Sequence, residues 1–138
     1  MFYLGNYLLL KRDPGLPETM YLCYFAASPL EWYPEWSIDL GPPTAQRVVT
    51  TDDLKISGGP VGIYRRLFEK GEVLVNPTQS PITVQLPKPM HQVTPKGGGA
   101  VGKDGTVTPT PSLVHGPAAS SVVVAAKSAV ILLHPVSL

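Results

Sequence analysis

Three carboxylates, Glu31, Glu35 and Asp39, are interleaved with Trp32, Tyr33 and Trp36 in the segment EWYPEWSIDL. Glycoside hydrolysis needs two carboxyl groups about 5–9.5 Å apart across the scissile bond. Aromatic rings of this kind suit the apolar faces of sugars. Pro34, however, bars a regular helix that would hold Glu31 and Glu35 on one face. The expectation for this loop is therefore packing against neighbouring structure, with sugar contact through Trp32, Tyr33, Trp36, Glu31 and Glu35 as its functional alternative. No catalytic residue is assigned.

The other chemistry-bearing patterns are weaker. Gly97 to Asp104, GGGAVGKD, differs from the phosphate-loop pattern at its last position. A hydroxyl there would bind Mg²⁺, whereas Asp104 repels phosphate. The following Gly-Thr-Val-Thr-Pro cannot open a helix, so a hairpin turn is expected. His91, His115 and His134 have no metal-ligand spacing among themselves or with Cys23 and read as solvated or hydrogen-bonded side chains. Asn76-Pro77-Thr78 fails as a glycosylation acceptor because proline holds the middle position. Arg65 and Arg66 are adjacent in an expected strand and point to opposite faces. One of them is expected to pair with Glu69, Asp39 or Glu72. Cys23 is the single cysteine, which rules out an intrachain disulfide. It lies in the apolar run YLCYFAA and reads as a buried thiol.

The elements that must position these residues are mostly short strands. Residues 2–10 put Phe2, Leu4, Tyr7 and Leu8 on a helical face, and Asp13-Pro14-Gly15 stops that helix. Residues 20–26 are apolar on both faces, as in a doubly buried strand. Beyond Val48 the expected strands are 46–50, 61–68, 72–76, 82–86, 90–94, 105–108, 120–125 and 129–133. Residues 61–86 are expected to form a three-stranded antiparallel meander. Within it Tyr64, Arg66 and Phe68 share one face and Ile63, Arg65 and Leu67 the other. Lys96 to Leu113 reads as a hairpin or partly ordered loop. The resulting fold class is mainly β, a small antiparallel sandwich or barrel-like domain with a short N-terminal helix. Two segments are expected: 1–45, carrying the helix and the aromatic loop, and 46–138, the β-domain.

Composition narrows the function. The net charge is +1, which offers no field for nucleic acid or an anionic membrane. Only 15% of residues are charged against 43% hydrophobic, so more surface than usual is expected to be buried or to meet a partner. With 13 glycines and 16 prolines the chain is turn-rich rather than low-complexity. The segment MFYLGNYLLLKR carries its charges after its apolar part, the reverse of a signal peptide, and is too short to span a bilayer. Compartment is left open, and no cofactor is implied.

One stretch is specific enough to suggest a family. Tyr64, Arg65, Arg66, Phe68, Glu69, Gly71, Val73, Leu74, Val75, Asn76, Pro77 and Thr78 closely resemble the C-terminal β-domain of TIM-barrel glycoside hydrolases of the hypothetical-glycosyl-hydrolase type. In those proteins a (β/α)8 barrel precedes a small antiparallel domain. Residues 32–43 are similar to the family's loop after the last barrel strand, and 128–133 to its closing strand. The resemblance implies that 2–26 corresponds to the last β/α step of the barrel and that the aromatic loop faces the catalytic side. A complete barrel needs roughly 200 residues or more. The chain is thus expected to correspond to the tail of such a protein, a non-catalytic accessory or structural domain. The expected partners are a barrel polypeptide or a second copy of the chain, and carbohydrate through the aromatic loop. The alternative is a self-associating assembly protein that uses the apolar strand 20–26.

Overall fold

The computed structural model describes residues 1–10, 30–44, 48–56 and 59–135. The expected strand 20–26 and Cys23 lie outside the described residues. Helix α1 spans Phe2–Leu10, as its apolar pattern and lack of proline predict. A helix this short does not persist in water on its own. Leu8 and Leu9 anchor it by packing on the sheet, each burial contributing roughly 1.5–3 kcal/mol. The helix lies directly on the strands: a Cβ on Gly5 would overlap that of Ala129 and come within 3.0 Å of Val75 Cγ2.

The strands follow as β1 (Glu31–Trp32), β2 (Tyr64–Phe68), β3 (Gly71–Asn76), β4 (Ile82–Lys96), β5 (Gly99–Ala100), β6 (Ser112–Val124) and β7 (Ser128–Leu133). The fold is mainly β. Five strands form one antiparallel sheet in the order β2-β3-β7-β4-β6, and β1 pairs with β5 in a small second sheet. Neither sheet closes into a barrel.

Alternation in β2 and β3 divides the side chains as the sequence predicts. Tyr64 pairs with Val75, Arg66 with Val73 and Phe68 with Gly71. Phe68, Val73 and Val75 join Leu8, Leu9, Leu40 and Leu54 in a core beneath α1. Ile63 and Leu74 face the opposite side and join a second core with Val84, Leu86, Met90, Val122, Val124, Val130 and Leu132. That second core shows how the sheet bends. β4 touches β7 only from His91 to Val93, yet its earlier residues continue along β6 to the pair Ile82–Val124. The β4–β6 ribbon therefore curls over the face of β3 and β7 that α1 leaves open, sandwich-fashion. The bend coincides with a register break between Gln85 and Met90. Leu86-Pro87-Lys88-Pro89 lies in that break, where prolines remove no ladder hydrogen bond and a bulge turns the strand.

Several expected elements differ. The meander is not sequential, because β7 and not β4 sits beside β3. β7 offers six consecutive partners to β3, a non-local pairing that alternation alone does not encode. Strands 82–86 and 90–94 are one long strand, and 120–125 is the end of a longer one. Residues 48–50 lead into a 3₁₀ turn at Thr51–Leu54, capped by Asp53, which accepts from the backbone N–H of Thr50 at 2.8 Å and of Val49 at 2.9 Å. Residues 105–108 form no strand beyond an isolated bridge between Val101 and Val107. Asn76, the last residue of β3 and of the expected strand 72–76, is fully buried. Its Nδ2 donates to the carbonyls of Ser80, Val124 and Ala125 at 2.8, 3.0 and 3.1 Å. Its Oδ1 accepts from the N–H and hydroxyl of Thr78. One side chain thus ties the end of β3 to the turn that follows and to the end of β6.

Candidate functional site

The aromatic loop begins as strand β1. Glu31 pairs with Ala100 and Trp32 with Gly99, and the N–H of Val101 donates to Leu30 O at 2.7 Å. Tyr33 is extended and Pro34 opens a single 3₁₀ turn, Pro34–Ser37, closed by Ile38 N–H donating to Glu35 O. The Tyr33 hydroxyl donates to Glu31 Oε2 at 3.2 Å. That bond, reinforced by desolvation and by the charges of Glu31 and Glu35, holds the phenol above its ordinary pKa. The rings of Tyr33 and Trp36 meet edge-on at 5.4 Å.

The glycine run of the near-phosphate loop has its place here. At Gly98, with φ +92°, a Cβ would come within 3.0 Å of Trp32 O, Tyr33 Cδ1 and Pro34 Cδ, so the aromatic loop rests directly on glycine backbone. The Gly98 N–H donates to Pro109 O and the Gly102 N–H to Thr106 O. Asp104 accepts from the Thr106 N–H and hydroxyl. These amides are committed to the loop's own fold and form no cradle for phosphate.

The five residues assigned to sugar contact are thus divided. Glu31 and Tyr33 bond to each other, and Trp32 lies half-buried in the β1–β5 ladder. Glu35 and Trp36 line a groove of about 210 Å³ against Leu4, Tyr7 and Leu8 of α1. That groove adjoins a second of about 370 Å³ bordered by Leu8, Ile38, Leu40, Pro42 and Phe68. The shared lining residues are apolar. Asp39, the third carboxylate of the loop, is bound to Lys70 and accepts from the Gly41 N–H, which together hold its pKa below the ordinary value. Lys70, not Arg65 or Arg66, is its cation.

Of a second constellation the sequence reading held only one part, an arginine of β2 near Glu72. At the open end of the curled sheet lies a pocket of about 250 Å³ lined by Arg65, Glu72, Lys88 and His134 over walls from Leu67, Phe68, Pro87 and Met90. The register explains the grouping. Glu72 lies opposite Leu67 of β2 and Leu132 of β7, which puts it on the face carrying Arg65 and His134, each two residues from those partners. Lys88 arrives from the register break in β4. Glu72 is only 2% exposed, and its Oε1 has no hydrogen-bond partner. His134 Nδ1 likewise has none. Desolvation pushes the Glu72 carboxyl above its ordinary pKa, with Arg65 pulling the other way. Desolvation, helped by the Lys88 charge, pushes His134 below its own. The other described histidines differ: His91 Nδ1 meets Gly116 O at 2.8 Å and His115 is exposed. The one local signal for this pocket was a carboxylate inside the apolar run GEVLVN; its 62-residue separation from His134 left the pairing to the register.

Among the described residues no three His, Cys, Asp or Glu side chains gather as a metal site would require, and no helix is long and apolar enough to cross a membrane. No protein-family model, curated protein or solved structure matches the chain.

Proposed function

We propose that this chain is a non-catalytic accessory β-domain, similar to the C-terminal part of a glycoside hydrolase-like protein, that works by packing against a barrel. The observation that carries this reading is the character of α1. The helix FYLGNYLLL holds no charged residue, yet only one side of it meets the sheet. Tyr3 is 81% and Leu10 62% exposed. The outer row of the helix, Tyr3, Asn6 and Leu10, is uncharged and carries two large exposed apolar side chains, the kind of surface that meets a partner. The resemblance of residues 64–78 supplies the identity of the occupant. The division of the loop carboxylates supports the absence of catalysis: Glu31 is engaged with Tyr33, Glu35 faces α1, and Asp39 is held by Lys70.

The uncharged face also favours a second reading, a homo-oligomer through residues 2–10 and 20–26, since two copies meet there without repulsion. Two measurements test these readings. A panel of aryl glycosides should show no turnover, and turnover abolished by Glu31→Gln or Glu35→Gln would overturn the non-catalytic assignment. Sedimentation should show a species without defined stoichiometry or a monomer if the face awaits a barrel, and a discrete dimer if the second reading is correct.

A further inference from the structure

The pocket between β2, β3, β7 and the β4 register break is unrelated to the α1 face and has its own chemistry. Two basic side chains, Arg65 and Lys88, border it against a single carboxylate, Glu72. Among the described residues, neither cation has a hydrogen bond or an ion pair to a carboxylate; the two ion pairs formed are Lys55–Asp52 and Lys70–Asp39. The pocket is therefore net positive and suits an anion. Its walls are the apolar faces of Leu67, Phe68, Pro87 and Met90, which an inorganic ion would leave unused. Glu72 and His134, each carrying a buried polar atom without a partner, both line this cavity. A carboxylate alone would pair with Arg65 and Lys88 and leave these two side chains unused. Hydroxyl groups, which both donate and accept, suit the carboxyl and imidazole groups of both. At about 250 Å³ the space lies just under the range of roughly 300–1,000 Å³ typical of drug-sized ligands, so the occupant is a single ring or a short chain.

We propose that this pocket binds a small hydroxylated carboxylate, its carboxylate held by Arg65 and Lys88 and its hydroxyl groups by Glu72 and His134. A divalent cation is disfavoured by the same two positive side chains. Arg65 and Lys88 set charge selectivity, while Glu72 and His134 select for hydroxyl groups over a plain fatty acid.

Isothermal titration of the full chain with sodium glucuronate and with sodium glycerate tests this, with glucose as the neutral counterpart of the ring. Binding of at least one of the two carboxylates is expected with Kd in the millimolar range or tighter, and none of glucose at the same concentration. Arg65→Gln and Lys88→Gln should each weaken the bound carboxylate about tenfold, and His134→Leu should weaken it while binding of butyrate, which lacks hydroxyls, stays absent. Thermal unfolding of each variant establishes that it is folded. Both Arg65 and Lys88 are surface-reaching, so their replacement leaves the cores intact. The proposal is overturned if neither carboxylate binds, if glucose binds equally well, or if the folded Arg65→Gln/Lys88→Gln double variant retains the wild-type affinity.

Discussion

Gly5→Ala separates helix propensity from helix packing in α1. In an exposed helix, alanine in place of glycine stabilises by about 0.8–1.0 kcal/mol. Here the new methyl would overlap the Cβ of Ala129 on β7 and press on Val75 Cγ2 at 3.0 Å. Carbon atoms settle at about 3.5–4.0 Å, so α1 must lift off the sheet and loosen Leu8 and Leu9 in the core below. Overpacking of this kind costs about 1–3 kcal/mol. The net expectation is a loss of roughly 0–2 kcal/mol, with a larger loss for Gly5→Val. Urea unfolding followed by circular dichroism reads the change as a lower midpoint at constant slope. Ala129→Gly removes the opposing methyl, so the two substitutions should couple favourably by about 1–3 kcal/mol in a double-mutant cycle. A gain of stability from Gly5→Ala alone, or no coupling with Ala129→Gly, would refute the close contact between α1 and β7.

Other substitutions probe the remaining devices. Asn76→Asp removes all three donated hydrogen bonds, and since each unsatisfied buried carbonyl costs about 1–3 kcal/mol, unfolding should shift strongly downward. Stability within about 0.5 kcal/mol of wild type, the range of ordinary surface changes, would show that Asn76 does not staple β3 to β6. Glu72 should give a pH signature. Its folded pKa is raised above the ordinary 4.5 by desolvation. The folded state therefore binds the proton more tightly, and the stability this contributes is full below 4.5 and is lost as pH rises through the folded value. Glu72→Gln should flatten that decline and raise the melting temperature at neutral pH; a variant with the wild-type pH profile would show that Glu72 is not desolvated.

What could be read from the sequence was what depends on neighbours in the chain. The facing of Tyr64, Arg66 and Phe68 follows from a period of two, and α1 from an apolar face with a proline-free run. Strand order does not: β7 inserts between β3 and β4 because Val130 and Leu132 complete one core and Ala129 and Ile131 the other. β4 reads as two strands because Pro87 and Pro89 interrupt it, yet both lie in the register break where no N–H is needed. The glycine run 97–99 looks like a ligand loop in isolation, and its contact with Trp32, Tyr33 and Pro34 appears only once β1 and β5 pair. The carboxylate–aromatic spacing of 31–36 is legible, but the turn at Pro34 that sends Glu35 towards α1 and leaves Glu31 with Tyr33 is a matter of tertiary packing. Arg65, Glu72, Lys88 and His134 come from three strands and a strand end, and no local pattern unites them.

The claim that this chain acts through the outer face of α1 is tested most directly by fluorescence of 8-anilinonaphthalene-1-sulfonate, a probe of exposed apolar surface. Wild type should be compared with the Tyr3→Lys/Leu10→Lys double variant, with sedimentation run on the same samples. Both residues point away from the sheet, so the lysines should leave the unfolding midpoint within about 0.5 kcal/mol. The account predicts a strong signal for wild type that the double variant loses, together with any tendency to associate. A wild type that is monomeric and does not bind the probe, with a double variant indistinguishable from it, would contradict the account.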